Sequence, residues 1–414
     1  MRTGGNAQRA LYWAMLAHMH SSPPPIPLAP VLSLASFRRQ AGQPAATVLD
    51  AGQARLVTSG RVAIALALRE LGVGAGERVL LPAYHSASMV PPVQWTGATP
   101  EFYRVGADAQ ADLDDIAARL ATSTGAGPRT RVLVVTHFFG FPQPLAALRA
   151  LCDAHGVALL EDCAHAFIGD FDGRPPGAWG DYAAASSMKF LPLYEGGALV
   201  SARHGLDRVT LRAAGPGFEL KTALNTLQRG FAFGRLRGLR IALSPMLRLQ
   251  ALAWNALKRR RGPVAGLAPA SSDSGYGFDP RWLDKRSALC SRLILALSSP
   301  ARVAALRRRN YLRLHEALAG LPGLRPLHAH LADGVCPWLF PLVAHDPDRL
   351  ARRLLEAGVP LTRFGYPLWE GVDARTCAHA AHLSRHVLGL PCHQELRESE
   401  LARIAQALRQ AAST

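Results

Sequence analysis

Gly180-Asp181-Tyr182-Ala183-Ala184-Ala185-Ser186-Ser187-Met188-Lys189, read with the Glu195-Gly196-Gly197 that begins six residues after the lysine, is the stretch that decides the fold. Upstream of it the strand-like run Val157-Ala158-Leu159-Leu160 ends in Glu161-Asp162-Cys163-Ala164-His165. A hydrophobic strand ending in an acid, then a lysine with a serine three residues before it and paired glycines after it, fits a site for pyridoxal phosphate (PLP). In such a site the lysine forms a Schiff base with the aldehyde, the aspartate pairs with the pyridine nitrogen, and the serine hydroxyl helps to hold the phosphate. Asp162 at a strand end also reads as a cap on a following helix, but a lysine in the right context downstream favours the ring partner. Lys189 must be partly neutral to attack an aldehyde, and burial lowers a lysine pKa. Its neighbours Met188, Phe190, Leu191, Pro192 and Leu193 are apolar, unlike the setting of a surface lysine.

A second segment reads as a phosphate cradle. Leu56-Val57-Thr58-Ser59-Gly60-Arg61 precedes the helical run Val62-Ala63-Ile64-Ala65-Leu66-Ala67-Leu68. Gly60 lets the backbone approach an anion, the helix start offers free N–H groups, and Arg61 adds charge-assisted contacts. Taken alone, Ser59-Gly60 is a plain N-cap. It gains meaning beside the lysine segment.

These segments, together with Gly76-Glu77-Arg78-Val79-Leu80-Leu81-Pro82-Ala83-Tyr84, Val134-Val135-Thr136-His137-Phe138-Phe139-Gly140 and Leu388-Gly389-Leu390-Pro391-Cys392-His393, stand in the order of a known family. The chain resembles the DegT/DnrJ/EryC1/StrS family of PLP-dependent sugar aminotransferases, from about Ile26 to about Leu408. The resemblance implies an α/β fold of type I, a mostly parallel sheet covered by helices with a smaller C-terminal α+β domain. It implies Lys189 as the Schiff-base lysine, Asp162 as the pyridinium partner, His165 at the ring, and Ser59, Gly60, Arg61 and Ser186 near the phosphate. It also implies a homodimer, with Arg286 and Ser287 lying where family members reach the partner's cofactor. Three positions depart from the family pattern. Arg61 stands where many members carry Thr or Ser. Ala184 stands where many carry the phosphate serine, leaving Ser186 as the substitute. Ser86 stands where many carry the ring stacker, leaving Tyr84 or His85 to stack.

The chain has 414 residues, 49% of them hydrophobic and 19% charged, an ordinary globular composition long enough for two domains. We expect an N-terminal extension and linker over 1–25, a large PLP-binding domain over 26–275 with a basic helical insertion at 202–275, and a small domain over 276–414. Strands are expected at Arg78–Leu81, Arg131–Thr136, Val157–Glu161, Ala198–Ser201 and Trp338–Val343. Helices are expected at Val62–Leu71, Leu113–Leu120, Pro144–His155, Arg281–Leu318, Pro347–Ala357 and Glu398–Ala411, with Arg307-Arg308-Arg309 on a polar face. Six scattered cysteines form no CxxC pair and read as reduced thiols of a cytoplasmic protein, with no metal site. No apolar run is long enough to span a bilayer.

The formal charge is +17, and residues 203–261 hold 13 Lys/Arg against 2 Asp/Glu, including Lys258-Arg259-Arg260-Arg261. A solvated basic face, an anionic membrane surface and a channel for a nucleotide-sugar diphosphate all fit that stretch. No nucleic-acid recognition motif accompanies it. Arg363, Tyr366, Trp369 and His137 are further candidates for substrate contact. The expected activity is transfer of an amino group from an amino-acid donor, L-glutamate, to a keto sugar, with a sugar dehydratase on the same scaffold or a non-catalytic membrane-associated scaffold as rivals.

Overall fold

The computed structural model describes residues 25–40, 45–122, 128–245 and 277–412. Its frame is a seven-stranded sheet in the order β1-β7-β6-β5-β4-β2-β3. The strands are β1 (Gln53–Val57), β2 (Glu77–Pro82), β3 (Thr99–Tyr103), β4 (Arg129–Thr136), β5 (Ala158–Cys163), β6 (Tyr182–Ala185) and β7 (Gly197–Ser201). β3, β2, β4, β5 and β6 pair in parallel, whereas β7 runs antiparallel to both β6 and β1. Val132–Val135 and Leu159–Leu160 are buried throughout, as expected of strands covered on both faces.

Helix α1 (Gly60–Glu70) starts where Ser59 accepts a hydrogen bond from the Val62 N–H. Its residues from Val62 to Leu68 are all buried, so the helix has no solvent stripe and lies enclosed by the body of the protein. Three further helices follow: α2 (Val90–Trp95), α3 (Leu113–Thr122) and α4 (Leu145–His155). Gly156 closes α4 with a left-handed φ of 62°, a conformation that a glycine adopts without steric penalty.

The smaller sheet is antiparallel, β8 (Leu324–Pro326), β9 (Phe340–Ala344) and β10 (Val387–Leu390), with β9 in the centre. Around it lie α7 (Pro300–Ala317), α8 (Pro347–Glu356), α9 (Ala378–His386) and α10 (Glu398–Ala412), while α5 (Pro216–Ala232) and α6 (Leu289–Leu297) come earlier in the chain. The two sheets share a core: Leu80, Leu133 and Val135 of the large sheet cluster with Phe340, Leu342, Leu388 and Ile404.

Two expectations need correction. The span Arg281–Leu318 is broken into a short turn at Pro280–Trp282, then α6 and α7, because Ser298 and Ser299 are extended and Ser299 caps the new helix. Arg307 does not lie on a polar face. Its side chain is fully buried and makes five hydrogen bonds. Nε donates to Gln394 Oε1 (2.9 Å), Nη1 to the carbonyls of Pro337 (3.0 Å) and Trp338 (2.8 Å), and Nη2 to those of Lys189 (3.0 Å) and Phe190 (3.2 Å). Lys258–Arg261 and residues 1–24 lie outside the described residues.

Arg307→Met should destabilise the chain by at least about 3 kcal/mol, because several buried carbonyls lose their donor at once. Urea unfolding would show it as a lowered midpoint. A shift below about 1 kcal/mol, the worth of one ordinary hydrogen bond, would mean that the carbonyls find other partners.

Candidate active site

The parallel strands β4, β5 and β6 end on one side of the sheet, where α1 also begins, and the polar residues converge there. Lys189 closes a single 3-10 turn, Ser187–Lys189, directly after β6. Arg307 fixes that turn by its carbonyl. The Lys189 ammonium lies 4.6 Å above the ring of Trp338, a cation–π contact. Burial pushes the Lys189 pKa down to about 8; the charge of Asp162 opposes this shift and that of Arg61 adds to it. Lys189 as a residue is nevertheless only partly buried.

Asp162, in β5, is buried. Its Oδ1 accepts the Ala164 N–H at 3.0 Å and its Oδ2 the Thr136 hydroxyl at 3.3 Å. Burial raises its pKa, and the Lys189 charge is the largest influence in the other direction. Lys189 and Asp162 are thus electrostatic partners whose enclosure disfavours the ionised form of each.

His165 lies among aromatic rings. Trp338 stacks on it with centroids 3.8 Å apart, Phe139 lies parallel at 6.0 Å, and Phe364 meets it edge-on at 4.6 Å. Its Nδ1 accepts the Phe139 N–H at 3.4 Å. Burial, reinforced by the Lys189 charge, holds its pKa well below the usual imidazole range, so it is a neutral ring. Phe139 itself has φ 58°, a left-handed backbone that is rare for a bulky residue and marks a locally constrained turn.

The start of α1 meets the lysine segment edge to edge. A Cβ on Gly60 would lie 3.7 Å from the Ser186 Cβ, which places these two residues side by side. A Cβ on Gly197 would lie 2.4 Å from the Ser59 carbonyl carbon and 2.7 Å from the Gly60 nitrogen. Only a glycine permits that approach. Glu195, two residues before, accepts from Ser287 Oγ (2.8 Å) and the Ala288 N–H (3.0 Å), and burial pushes its pKa up to about 7. Arg61 donates to the Gly277 carbonyl and lies close enough to Lys189 to depress its pKa.

The other sequence candidates are placed differently. His85 is fully buried, with Nδ1 on the Ala83 and Pro82 carbonyls (2.9 and 3.1 Å), Nε2 accepting the Trp369 N–H (3.2 Å) and its ring stacked on Phe102. Burial takes its pKa down to about 4. Tyr84 packs on Phe138 and on Phe364, and its hydroxyl has no hydrogen-bond partner among the described residues. Arg363 pairs with Asp348 at 2.6 Å. Arg286 is exposed, while Ser287 is buried against Glu195. His137, Glu161 and Cys163 bring donor atoms within 4.8 Å of one another. Yet Glu161 already accepts from His137 Nε2 and from the N–H groups of Gly177, Trp179 and Gly180. Those contacts fill a carboxylate's roughly four lone-pair sites and leave none for a metal. Trp338, Phe139, Phe364 and Thr136 belong to the site without having been singled out for it; Trp338 lies in Cys336-Pro337-Trp338-Leu339-Phe340, which carries no motif of its own.

Comparison with known proteins gives a consistent picture. The family model described as the DegT/DnrJ/EryC1/StrS aminotransferase family matches residues 40–261. The chain is 28% identical over 374 residues to a UDP-N-acetyl-3-dehydro-alpha-D-glucosamine 3-aminotransferase of Acidithiobacillus ferrooxidans, across 85% of this chain and 82% of that protein. It is 28% identical over 367 residues to a dTDP-3-amino-3,4,6-trideoxy-alpha-D-glucose transaminase of Streptomyces venezuelae, across 86% of this chain and 81% of that protein. Among solved structures, the aminotransferase TlmJ of Streptoalloteichus hindustanus superimposes with a TM-score of 0.60 at 23% identity, covering 87% of this chain and 86% of that one.

Two outcomes test the geometry. Gly197→Ala should push the start of α1 away from the lysine segment and weaken PLP binding at least about tenfold, about 1.4 kcal/mol, in a chain that still folds; equilibrium titration with PLP measures it. The rate at which apo protein captures PLP should rise with pH through about 8, since the neutral amine attacks and its fraction grows as pH passes the lowered pKa. A rise centred near the ordinary lysine value of about 10.4 would show that the amine is not enclosed.

Proposed function

The chain belongs to the DegT/DnrJ/EryC1/StrS aminotransferase family, and from that premise we propose that it moves an amino group from L-glutamate to the carbonyl of a nucleotide-linked keto sugar. It is a PLP-dependent aminotransferase. The observation that carries the reading is the pairing of Lys189, its pKa lowered to about 8, with buried Asp162 at the strand ends beside the start of α1.

The residues present fit PLP. Bound there, the cofactor supplies the electron sink for the carbon that loses a proton. Asp162, whose two oxygens are directed by the Ala164 N–H and the Thr136 hydroxyl, would keep a proton on the pyridine nitrogen. The start of α1, with Ser59, Gly60 and Arg61, offers backbone donors and positive charge to a phosphate, and Ser186 stands beside it. Lys189 would hold the cofactor, and when free its Nζ would take a proton from or give one to the substrate carbon, for which an amine pKa near the working pH is suited. His165 and Trp338 wall the site with flat apolar surface and exclude water. Both cited relatives are named for nucleotide-linked sugars, which supports that substrate class here.

We further propose a homodimer. Leu289, Leu293 and Leu297 follow one another at four-residue steps along α6, each more than half exposed, an apolar stripe that a second copy would cover. A cytoplasmic setting suits the six free cysteines. Among the described residues no single helix is long and apolar enough to cross a membrane. The described part of the basic insertion exposes Arg237, Leu239, Arg240 and Ile241 over the helical residues 237–245, a composition suited to an anionic membrane surface.

Incubation with amino donors and nucleotide-linked keto sugars, followed by mass spectrometry, should show exchange of the sugar oxygen for an amine together with the keto acid of the donor. Lys189→Ala should abolish both this product and the visible absorption of lysine-bound cofactor. Asp162→Asn should retain PLP and lose several orders of magnitude in rate. A loss below about tenfold, about 1.4 kcal/mol of barrier, would reduce Asp162 to a structural role, and an active monomer in sedimentation would remove the dimer.

A further inference from the structure

A second concentration of charge lies apart from Lys189. The turn at residues 33–35, the turn after α5 and the loop at residues 394–397 enclose a cleft of about 620 Å³. Five arginines line it, Arg235, Arg237, Arg302, Arg309 and Arg397, against one lining carboxylate, Glu395.

Three of the five, two of them buried, are neutralised within the protein. Arg235 is buried and bonds Glu400 Oε2 at 2.7 Å and the Glu395 carbonyl at 2.9 Å. Arg302, also buried, pairs with Glu395 Oε1 at 3.0 Å, and the Ser33 hydroxyl takes the other Glu395 oxygen at 2.6 Å. Arg309 reaches Glu398 at 2.9 Å. The guanidinium groups of the two that remain have no carboxylate partner among the described residues, although the Arg397 backbone N–H donates to Glu400 Oε2 at 2.8 Å. Arg397 Nη2 donates to the Gly234 carbonyl at 2.8 Å, and Arg237 is exposed and makes no hydrogen bond or ion pair to a described residue. Burial, with the like charges of Arg235 and Arg237, holds the Arg397 pKa below the usual guanidinium value, and only Glu400 opposes them.

Cations held this close repel one another unless an anion joins them, and planar guanidinium groups match the oxygens of a phosphoryl group in paired hydrogen bonds. We propose that this arginine-lined cleft is a binding site for the phosphoryl group of a phosphate ester, with Arg237 and Arg397 as its contacts. A soluble phosphate ester and a lipid headgroup present the same chemistry. Leu34, 78% exposed at the rim, and Ile241, 73% exposed on the helical residues 237–245, supply apolar surface of the kind a lipid would meet. The inference does not rest on the aminotransferase reading. None of Lys189, Asp162, His165 or Arg61 lines the cleft, and Gln394 is the lining residue that touches the lysine turn, through the Phe190 carbonyl at 2.7 Å.

The test uses the PLP-loaded full chain, so that the phosphate cradle at α1 is already filled. One arm titrates inorganic pyrophosphate by calorimetry. The other measures flotation with vesicles of phosphatidylcholine alone or with about 30 mol % phosphatidic acid, where each basic side chain near the surface contributes measurably. Arg237→Gln and Arg397→Gln should each weaken binding about fivefold. Arg237→Gln should leave the thermal unfolding midpoint unchanged because its side chain is exposed. Pyrophosphate binding that falls in both variants assigns a soluble phosphate ester. Binding restricted to phosphatidic acid vesicles, falling in the same variants, assigns a lipid phosphate. Failure of both probes to bind, or binding that neither variant alters, overturns the site. Absence of amino transfer in the activity assay would leave this result standing, because the probes report binding at other residues.

Discussion

The guanidinium of Arg307 is the constraint around which the site is arranged. A fully buried charge is tolerated only when its donors are satisfied, and here all three guanidinium nitrogens find acceptors. Those acceptors come from three places: the turn after β6, the residues before β9 and the loop after β10. The Lys189 and Trp338 carbonyls are therefore held by one planar group. The position of the Lys189 amine above the Trp338 ring follows from that shared anchor and not from the weak cation–π contact itself.

Around that anchor the electrostatics are balanced rather than neutral. Burial disfavours the ionised form of Lys189 and of Asp162, and each partly restores the charge of the other. Arg61 weighs against the lysine. The outcome is an amine whose pKa burial lowers to about 8. His165 is driven neutral by the same burial, so it contributes a ring and a hydrogen-bond acceptor, not a charge.

The backbone supplies the remaining precision. β7 reverses direction against its neighbours and begins at Gly197, whose missing side chain lets it lie on the Ser59–Gly60 turn. The start of α1 is thereby pinned against the lysine segment. The arginine-lined cleft uses the opposite means. There the positive potential comes from Arg237 and Arg397, beside arginines that Glu395 and Glu400 already neutralise, so it depends on tertiary packing, whereas the α1 site depends on local geometry.

Much of this was legible in the sequence. The apolar runs of β2, β4, β5 and α1 follow from residue type and period alone, and Asp162 and Lys189 stand out because acid, lysine and paired glycines keep a fixed local order. The short strands β1, β3 and β6 were not legible: their burial is mixed, or their alanines suit a helix equally well, and only pairing with neighbours decides them. Arg307, Arg308 and Arg309 are chemically identical neighbours on one helix. Successive helical residues point about 100° apart, so packing alone decides that Arg307 is interior while the others reach the surface. Trp338 and Phe364 stand far along the chain from Lys189 and carry no motif, and they join the site only when the two sheets share a core. Local order in the chain determined the chemistry of Lys189 and Asp162. The tertiary structure decided what surrounds them, because burial and ring contacts arise between segments that no short stretch of sequence connects.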